Sequence, residues 1–491
     1  MRNAGIRILE TDIKIPDANP NKWLVFTLVG IGVFMSTLDA SIVNIALPAI
    51  MQDFQVTLAT VGWVLMAYLL TVSSLLLAFG RLSDIKGRRW VYCRGFFIFS
   101  VGSLFCGVAR SAVWLIAARS FQGIGAAMLM ACSPALVVDI FPSSERGKTL
   151  GMVGTVVAAG LTIGPALGGL ILNLFSWRVI FYINIPIGIA AAVWAAWILK
   201  GSHGDITRSE SFDMTGALLL VICFCSLLIA LTRIHDWGCT SLRIWLLLGV
   251  SITSAIWFIR VEARAIHPIF DLSLLKIRLF VLPSLSAMIL FISLFGMLFL
   301  MPFYLVNPSG FSMDKAGYLM VTPFVFLFFI SPFSGALSDR IGSRILCTLG
   351  MAVMAVGLFS LSLLPPVASS LTVIWRLALV GIGTAIFISP NSSVVLGAVY
   401  QNRRGIAAGT VATARNMGMV IGVALAEIIF NNTFAARSGG LTLKAYGAEM
   451  EPFFMAAFQS AMLAGCFVAG LGIVVAFLRG PENNQTTPDF S

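Results

Sequence analysis

Fourteen apolar stretches, most about as long as a bilayer crossing, leave this chain one environment to fold in, a lipid bilayer. They run over 23–48, 58–80, 90–109, 113–140, 149–174, 177–199, 214–233, 243–262, 278–305, 315–337, 344–365, 370–396, 406–430 and 453–478. About 20 apolar residues in helical form span the ~30 Å hydrocarbon core. Lipid offers the backbone no hydrogen-bond partners, so each stretch is expected to be a helix. Composition agrees: 58% of the 491 residues are hydrophobic and 11% charged, too little polar side chain to cover a water-soluble globule. The net charge of +11 sits in loops too short to form a domain, which argues against a nucleic-acid partner. No polar segment is long enough for an extramembrane catalytic domain. Metal-ligand spacings, nucleophile elbows and phosphate-binding glycine loops are missing from the sequence, so neither an enzyme nor a cofactor is expected. The eight cysteines, mostly within apolar stretches, read as small core hydrophobes. The three histidines, His203, His235 and His267, fall in loops.

An even number of spans puts both termini on one side. Lys and Arg favour the loops of that side roughly three to one, which by the positive-inside rule makes it the cytoplasm. The first span directly follows a mixed polar tail with no small-residue cleavage pattern and reads as uncleaved. The two halves of the chain also resemble each other. Gly80-Arg81-Leu82-Ser83-Asp84-Ile85-Lys86-Gly87-Arg88-Arg89 returns 255 residues later as Gly335-Ala336-Leu337-Ser338-Asp339-Arg340-Ile341-Gly342-Ser343-Arg344. Arg119 before Gly123-Ile124-Gly125 returns as Arg376 before Gly381-Ile382-Gly383, and Arg146-Gly147 as Arg404-Gly405. Repeats on this scale build secondary transporters with a site at the repeat interface near mid-membrane. The expected fold is therefore an all-α polytopic membrane protein. Its parts are a tail (1–22), a six-helix bundle (23–199), a linker with two additional helices (200–277), a second six-helix bundle (278–478) and a tail (479–491).

Charges inside the spans need a reason, because each costs a few kcal/mol at bilayer depth. Asp39 is the only carboxylate in the first three stretches. Either it faces a cavity, where binding a proton and binding a cation become alternatives at one site, or it is a structural hydrogen-bond partner helped by Ser36, Ser41 and Asn44. Arg119 enters the fourth span at a depth where it can pair with Asp39 as a switch, or it snorkels to the headgroups. Arg415 lies near mid-depth in the thirteenth span, followed by Asn416. It reads either as an anion or substrate contact or as a brace for the second bundle. Glu427, further along the same span, reads as a second proton or cation site or as an interfacial group. Gly160, Gly164, Gly168 and the adjoining Pro165 and Gly169 form a ridge without side chains, suited to plain packing or to a helix contact that opens and shuts. Asp139 is placed to take a charge-assisted bond from the basic loop at 81–89. Asp84 with Arg88 would centre this latch, and Asp339-Arg340 is its twin in the second bundle. Asp213 reads as an N-cap.

These motifs resemble the major facilitator superfamily, and within it the fourteen-span drug/proton antiporters, over about 23–478. Gly80 to Arg89, with Asp84 and Gly87, is similar to the family's loop between the second and third spans. Leu38-Asp39 with Ile42-Val43-Asn44-Ile45-Ala46-Leu47-Pro48 is similar to its first-span signature. Arg119 with Gln122-Gly123 resembles its fourth-span arginine motif, and Gly160 to Gly169 its fifth-span antiporter motif. Trp177-Arg178, Phe181, Asn184 and Pro186 resemble the sixth span, and Arg415-Asn416 with Gly418 the thirteenth. The resemblance implies a secondary transporter driven by a proton gradient, with no cofactor. It would export a hydrophobic or amphiphilic small molecule as a monomeric unit among membrane lipids, with a substrate-specific importer or facilitator of the same fold as the alternative. Asp39, Arg119 and Glu427 would couple protons. Asp39, Asn44, Gln122, Asn391, Arg415 and Asn416 would contact substrate. Asp84, Gly87, Arg88, Asp139, Gly160, Gly164, Pro165, Gly168, Gly169, Asp339 and Arg340 would gate. The second bundle departs from the family's drug pumps in placing no acid deep in the cavity, and its most central charge is Arg415.

Overall fold

The computed structural model describes residues 21–199, 214–238, 240–264, 272–399, 404–444 and 446–480. Its helices are α1 (Lys22–Phe54), α2 (Leu58–Lys86), α3 (Arg88–Gly107), α4 (Ala112–Ile140), α5 (Ser143–Leu174), the short α6 (Val179–Tyr182) and α7 (Asn184–Ile198). There follow α8 (Met214–Trp237), α9 (Leu242–Glu262), α10 (Arg278–Val306), α11 (Met313–Ile341), α12 (Ser343–Ser362), α13 (Ser370–Gly397), α14 (Arg404–Ser438) and α15 (Glu451–Leu478). With α6 and α7 counted as one broken span, 14 segments are long and apolar enough to cross a membrane, and no strand occurs among the described residues. Asp213, His203, His267 and Cys239 lie outside the described residues.

Local sequence sets the ends. Thr57, Ser111 and Ser369 cap α2, α4 and α13 by accepting from the backbone N–H three residues on. Gly87 (φ 90°) and Gly342 (φ 84°) each turn the chain between two helices at matching places in the repeat, in a conformation that disfavours any residue with a Cβ. Hydropathy places several ends too early, among them that of the second span, where α2 runs six residues past 80 to Lys86. The first span continues past Pro48 to Phe54, because polar end turns keep their helical hydrogen bonds after the apolar signal fades. For the same reason α14 runs to Ser438, eight residues past the expected end at 430. The sixth span breaks at Ile183, next to Pro186 in the first turn of α7, where a missing N–H is tolerated.

Helices α1 to α7 pack around one another, α10 to α15 do the same, and the α8–α9 pair lies against α2 and α14. The bundles meet where α5 crosses α11, α2 crosses α14 and α1 crosses α10. Lipid supplies no hydrophobic drive between helices, so close backbone approach must hold them together. Gly169 shows this: a Cβ there would lie 3.0 Å from Cα of Gly317 on α11. Within the second bundle Gly422 sits against the Ile292 carbonyl of α10, whose carbon would be 2.9 Å from an added Cβ.

Gly422→Val is therefore expected to destabilise the protein by about 1–3 kcal/mol through overpacking. Gly249→Ala on α9, whose Cβ would meet nothing within 4 Å, should be neutral or stabilising by up to ~1 kcal/mol. Thermal unfolding in detergent checks both signs.

Candidate functional site

The first bundle encloses a polar cluster around Asp39, which like Arg119 and Gln122 is 0% exposed. Asp39 Oδ2 accepts from Arg119 Nη1. Asp39 Oδ1 accepts from Gln122 Nε2 at 3.0 Å and from Asn184 Nδ2 at 2.9 Å. Gln122 also accepts from Arg119 Nη1 at 2.6 Å and donates to Ser103 Oγ at 2.7 Å. Arg119 Nε donates to the Val64 carbonyl at 3.2 Å, and its guanidinium lies over the Tyr68 ring, 4.1 Å from the centroid. Five helices, α1, α2, α3, α4 and α7, thus contribute to one knot. Burying an isolated ion is prohibitive, whereas a buried pair with its remaining lone pairs satisfied is tolerated. Gly123 and Gly125 clear the way, since a Cβ at either would run into the backbone of α2 or α3.

The residues expected to form a latch meet within the same bundle. Arg88 contacts Asp139, lies 3.6 Å from Asp84 and donates to the Ala135 carbonyl at 2.6 Å, tying α2, α3 and α4 together at the end that carries the termini. The three side chains are partly exposed, so each pair contributes at most about 1 kcal/mol and is easily broken. In its twin, Arg340 is exposed and the side chain of Asp339 lies outside the described residues. The glycine ridge packs on α1: Cβ atoms at Gly160, Gly164 and Gly168 would meet Thr37, Ser41 and Ile42, respectively. The Gly160 carbonyl accepts from Ser41 Oγ at 3.1 Å. Pro165 and Gly169 face Gly317 of the other bundle.

Other expected site residues are dispersed. Asn44 reaches across the bundle interface, its Nδ2 donating to the Leu298 carbonyl of α10 at 2.8 Å. Glu427, 1% exposed, brings its carboxylate against Gly62 of α2, also across that interface. Asn391 donates to the Pro283 carbonyl at 3.1 Å and leaves Oδ1 without a partner among the described residues. Asn416 is buried with Nδ2 likewise unmet. Arg415 is partly buried over the Phe291 ring, 5.6 Å from its centroid, and among the described residues it makes no hydrogen bond or ion pair. An apolar groove of about 520 Å³, lined by Ile31, Pro186, Ile187, Ala190, Ala191 and Trp194, contains none of these groups.

The structure thus joins Asp39, Arg119 and Gln122, and keeps Asn44, Glu427, Arg415, Asn391 and Asn416 apart from them. It adds Asn184, Ser103 and Tyr68 to the knot. It also adds Asp53, which accepts from Trp177 Nε1 at 3.0 Å and pairs with Arg178 at 3.1 Å at the opposite end of the first bundle. Asn184 beside Pro186 carried a usable signal, a buried amide in an apolar span. Asp53 lay just past the expected end of the first span. No group of three or more His, Cys, Asp or Glu among the described residues could hold a metal.

Comparison with known proteins gives the following. The family model described as "Major Facilitator Superfamily" matches residues 29–423. The chain is 36% identical, over 94% of its length and 99% of the relative's, to the riboflavin transporter RibZ of Clostridioides difficile (strain 630). It is 33% identical, over 83% of its length and 75% of the relative's, to the multidrug resistance protein Stp of Mycobacterium tuberculosis (strain H37Rv). Its fold is similar to that of a bacterial homologue of the human lysosomal transporter Spinster in an inward-facing, unoccupied conformation. There the TM-score is 0.64 at 13% identity, covering 93% of this chain and 96% of that one.

Removing one member of the buried pair should cost more than removing both charges. Arg119→Leu is expected to lower stability by about 3–5 kcal/mol, and the double variant Asp39→Asn/Arg119→Leu to recover much of that. Thermal unfolding of the two variants in detergent checks the ordering.

Proposed function

Because the chain belongs to the Major Facilitator Superfamily, we propose that it is a proton-coupled antiporter that exports a hydrophobic or amphiphilic small molecule by alternating access. Membership makes it a secondary transporter of small molecules rather than an enzyme. The observation that carries the coupling mechanism is the fully enclosed Asp39–Arg119 pair, a carboxylate already met by three donors at bilayer depth. A proton on that carboxylate removes the charge that holds its donors, Arg119 above all. Arg119 is the one whose departure separates charges, so protonation and helix movement are linked through it. Gln122 and Asn184 hold the carboxylate in register. Full transfer of one proton across the membrane releases about 2.3 kcal/mol per 100 mV, enough to support a steep gradient of product.

In this reading the termini lie in the cytoplasm, on the side of the basic loops. The end away from them is held shut by Asn44 on the Leu298 carbonyl, by Glu427 against Gly62, and by α5 on α11 at Gly169 and Gly317. Opening that end means sliding the glycine ridge of α5 with Pro165, while the Arg88 clasp with Asp84 and Asp139 at Gly87 yields or re-forms at the other. Glu427 serves as a second proton site because it sits at the interface that must part. Arg415, Asn391 and Asn416 supply the polar contacts to substrate in the second bundle, which rocks against the first with α8 and α9 at their flank. A second reading is uptake of a flavin-like metabolite. The 36% identity with RibZ over nearly the whole length of both chains supports the flavin-like substrate of this reading, not its direction.

Asp39→Asn in proteoliposomes, compared at matched insertion, is expected to abolish transport driven by an imposed pH difference, and to unfold at a lower temperature because Arg119 is left unpaired. Undiminished pH-driven transport by that variant would sink the coupling role. Riboflavin and lipophilic dyes offered to intact cells separate the two readings: extrusion of dye supports export, and accumulation of riboflavin alone supports uptake.

A further inference from the structure

The second bundle carries a cation, Arg415, that no acid among the described residues neutralises. Arg415 lies 11 residues into α14, about 17 Å along the helix, and so near mid-membrane. Its guanidinium crosses Phe291 of α10, itself an enclosed helix, so it points into the protein and not to lipid. Among the described residues no carboxylate or carbonyl meets it, and its Nε is buried without an acceptor. The nearest carboxylate on its own helix, Glu427, is 12 residues on, about 18 Å away along the axis. Helix α10 has no acid at all, the acids of α15 and the turn before it, Glu449 and Glu451, stand at the end away from the termini, and Asp84 of α2 is at the other end beside Arg88. Asp39 in the first bundle is already taken by Arg119.

Phe291 also pairs with Phe295 one turn on, ring centroids 6.2 Å apart and tilted 41°, so an aromatic face adjoins the charge. An unpaired fork of N–H donors beside two rings fits a planar aromatic ring bearing a carboxylate or another delocalised negative charge. A cation entering the same place would meet repulsion with no acid to offset it.

We propose that Arg415, with Phe291 and Phe295, forms an anion subsite in the second bundle, and that the transported compounds are aromatic amphiphiles carrying one negative charge. The inference rests on the transporter reading above and narrows its substrate class.

Three compounds of one shape test it: 2-naphthoate, the neutral 2-naphthamide and the cationic 2-naphthylmethylammonium. Their binding to the purified full-length protein in nanodiscs is followed by tryptophan quenching. The subsite predicts that naphthoate binds at least about tenfold tighter than the amide, with the ammonium weakest. Arg415→Gln should erase the preference, and Arg415→Lys should keep part of it while losing the two-pronged contact. Equal or tighter binding of the amide or the ammonium by the wild-type protein would overturn the proposal. So would a preference for naphthoate that survives in Arg415→Gln. The wild-type ranking decides by itself if the glutamine variant does not fold. If Asp39→Asn stops pH-driven transport but the ranking is wrong, the anion subsite falls and the antiporter reading stands. If the ranking is right but Asp39→Asn transports normally, the reverse holds.

Discussion

One buried ion pair fixes the first bundle. Asp39 and Arg119 are both fully enclosed at a depth where either alone would cost a few kcal/mol, and each is tolerable only because the other is there. Their pairing sets the relative height and rotation of α1 and α4. Gln122, one turn after Arg119, then falls on the same carboxylate, and Asn184 brings α7 to it. The geometry is over-determined, which is what a switch needs: two arrangements separated by the making and breaking of a strong contact, without a continuum between them.

The second bundle repeats the helices but not the pair. The residues one repeat after Asp39 are Leu294, Phe295 and Gly296, none of them acidic, while the counterpart of Arg119, Arg376, lies 5.0 Å from the centroid of the Trp375 ring. The duplicated scaffold thus holds a central ion pair in one half and, in the other, Arg415 without an ion pair among the described residues. That difference is what supports the proposed proton role of the Asp39–Arg119 pair and the proposed substrate role of Arg415, with Glu427 of the second bundle as the proposed second proton site. Between the two halves the contacts are of a different kind. Glycine faces, the Asn44 amide on the Leu298 carbonyl and the Glu427 carboxylate against Gly62 line the contact between the bundles.

Much of this was legible in the sequence because lipid makes polar groups conspicuous. The fourteen spans, the 255-residue repeat and the isolated Asp39, Arg119, Arg415 and Glu427 all stand out against apolar surroundings. What stayed hidden depended on rotation and lateral order. Nothing in the spacing tells which of the amides meets Asp39, and Asn184, 145 residues away, does so while Asn44, five residues away on the same helix, turns to the Leu298 carbonyl. Ser103 and Tyr68 are ordinary residues made special by neighbours from other helices. Asp53 was missed for another reason: hydropathy loses a helix before its hydrogen bonds do, and the far turn of α1 carries the acid that anchors Trp177 and Arg178.

The central claim is that Asp39 exchanges Arg119 for a proton during the working cycle. Infrared difference spectroscopy of the purified protein in lipid, between high and low pH and with and without substrate, reads this directly. A protonated-carboxyl component should grow as pH falls, shrink when substrate is added, and be lost in Asp39→Asn while any band of Glu427 remains. A carboxyl spectrum unchanged by Asp39→Asn, or wild-type carboxyl bands that ignore substrate, would contradict it.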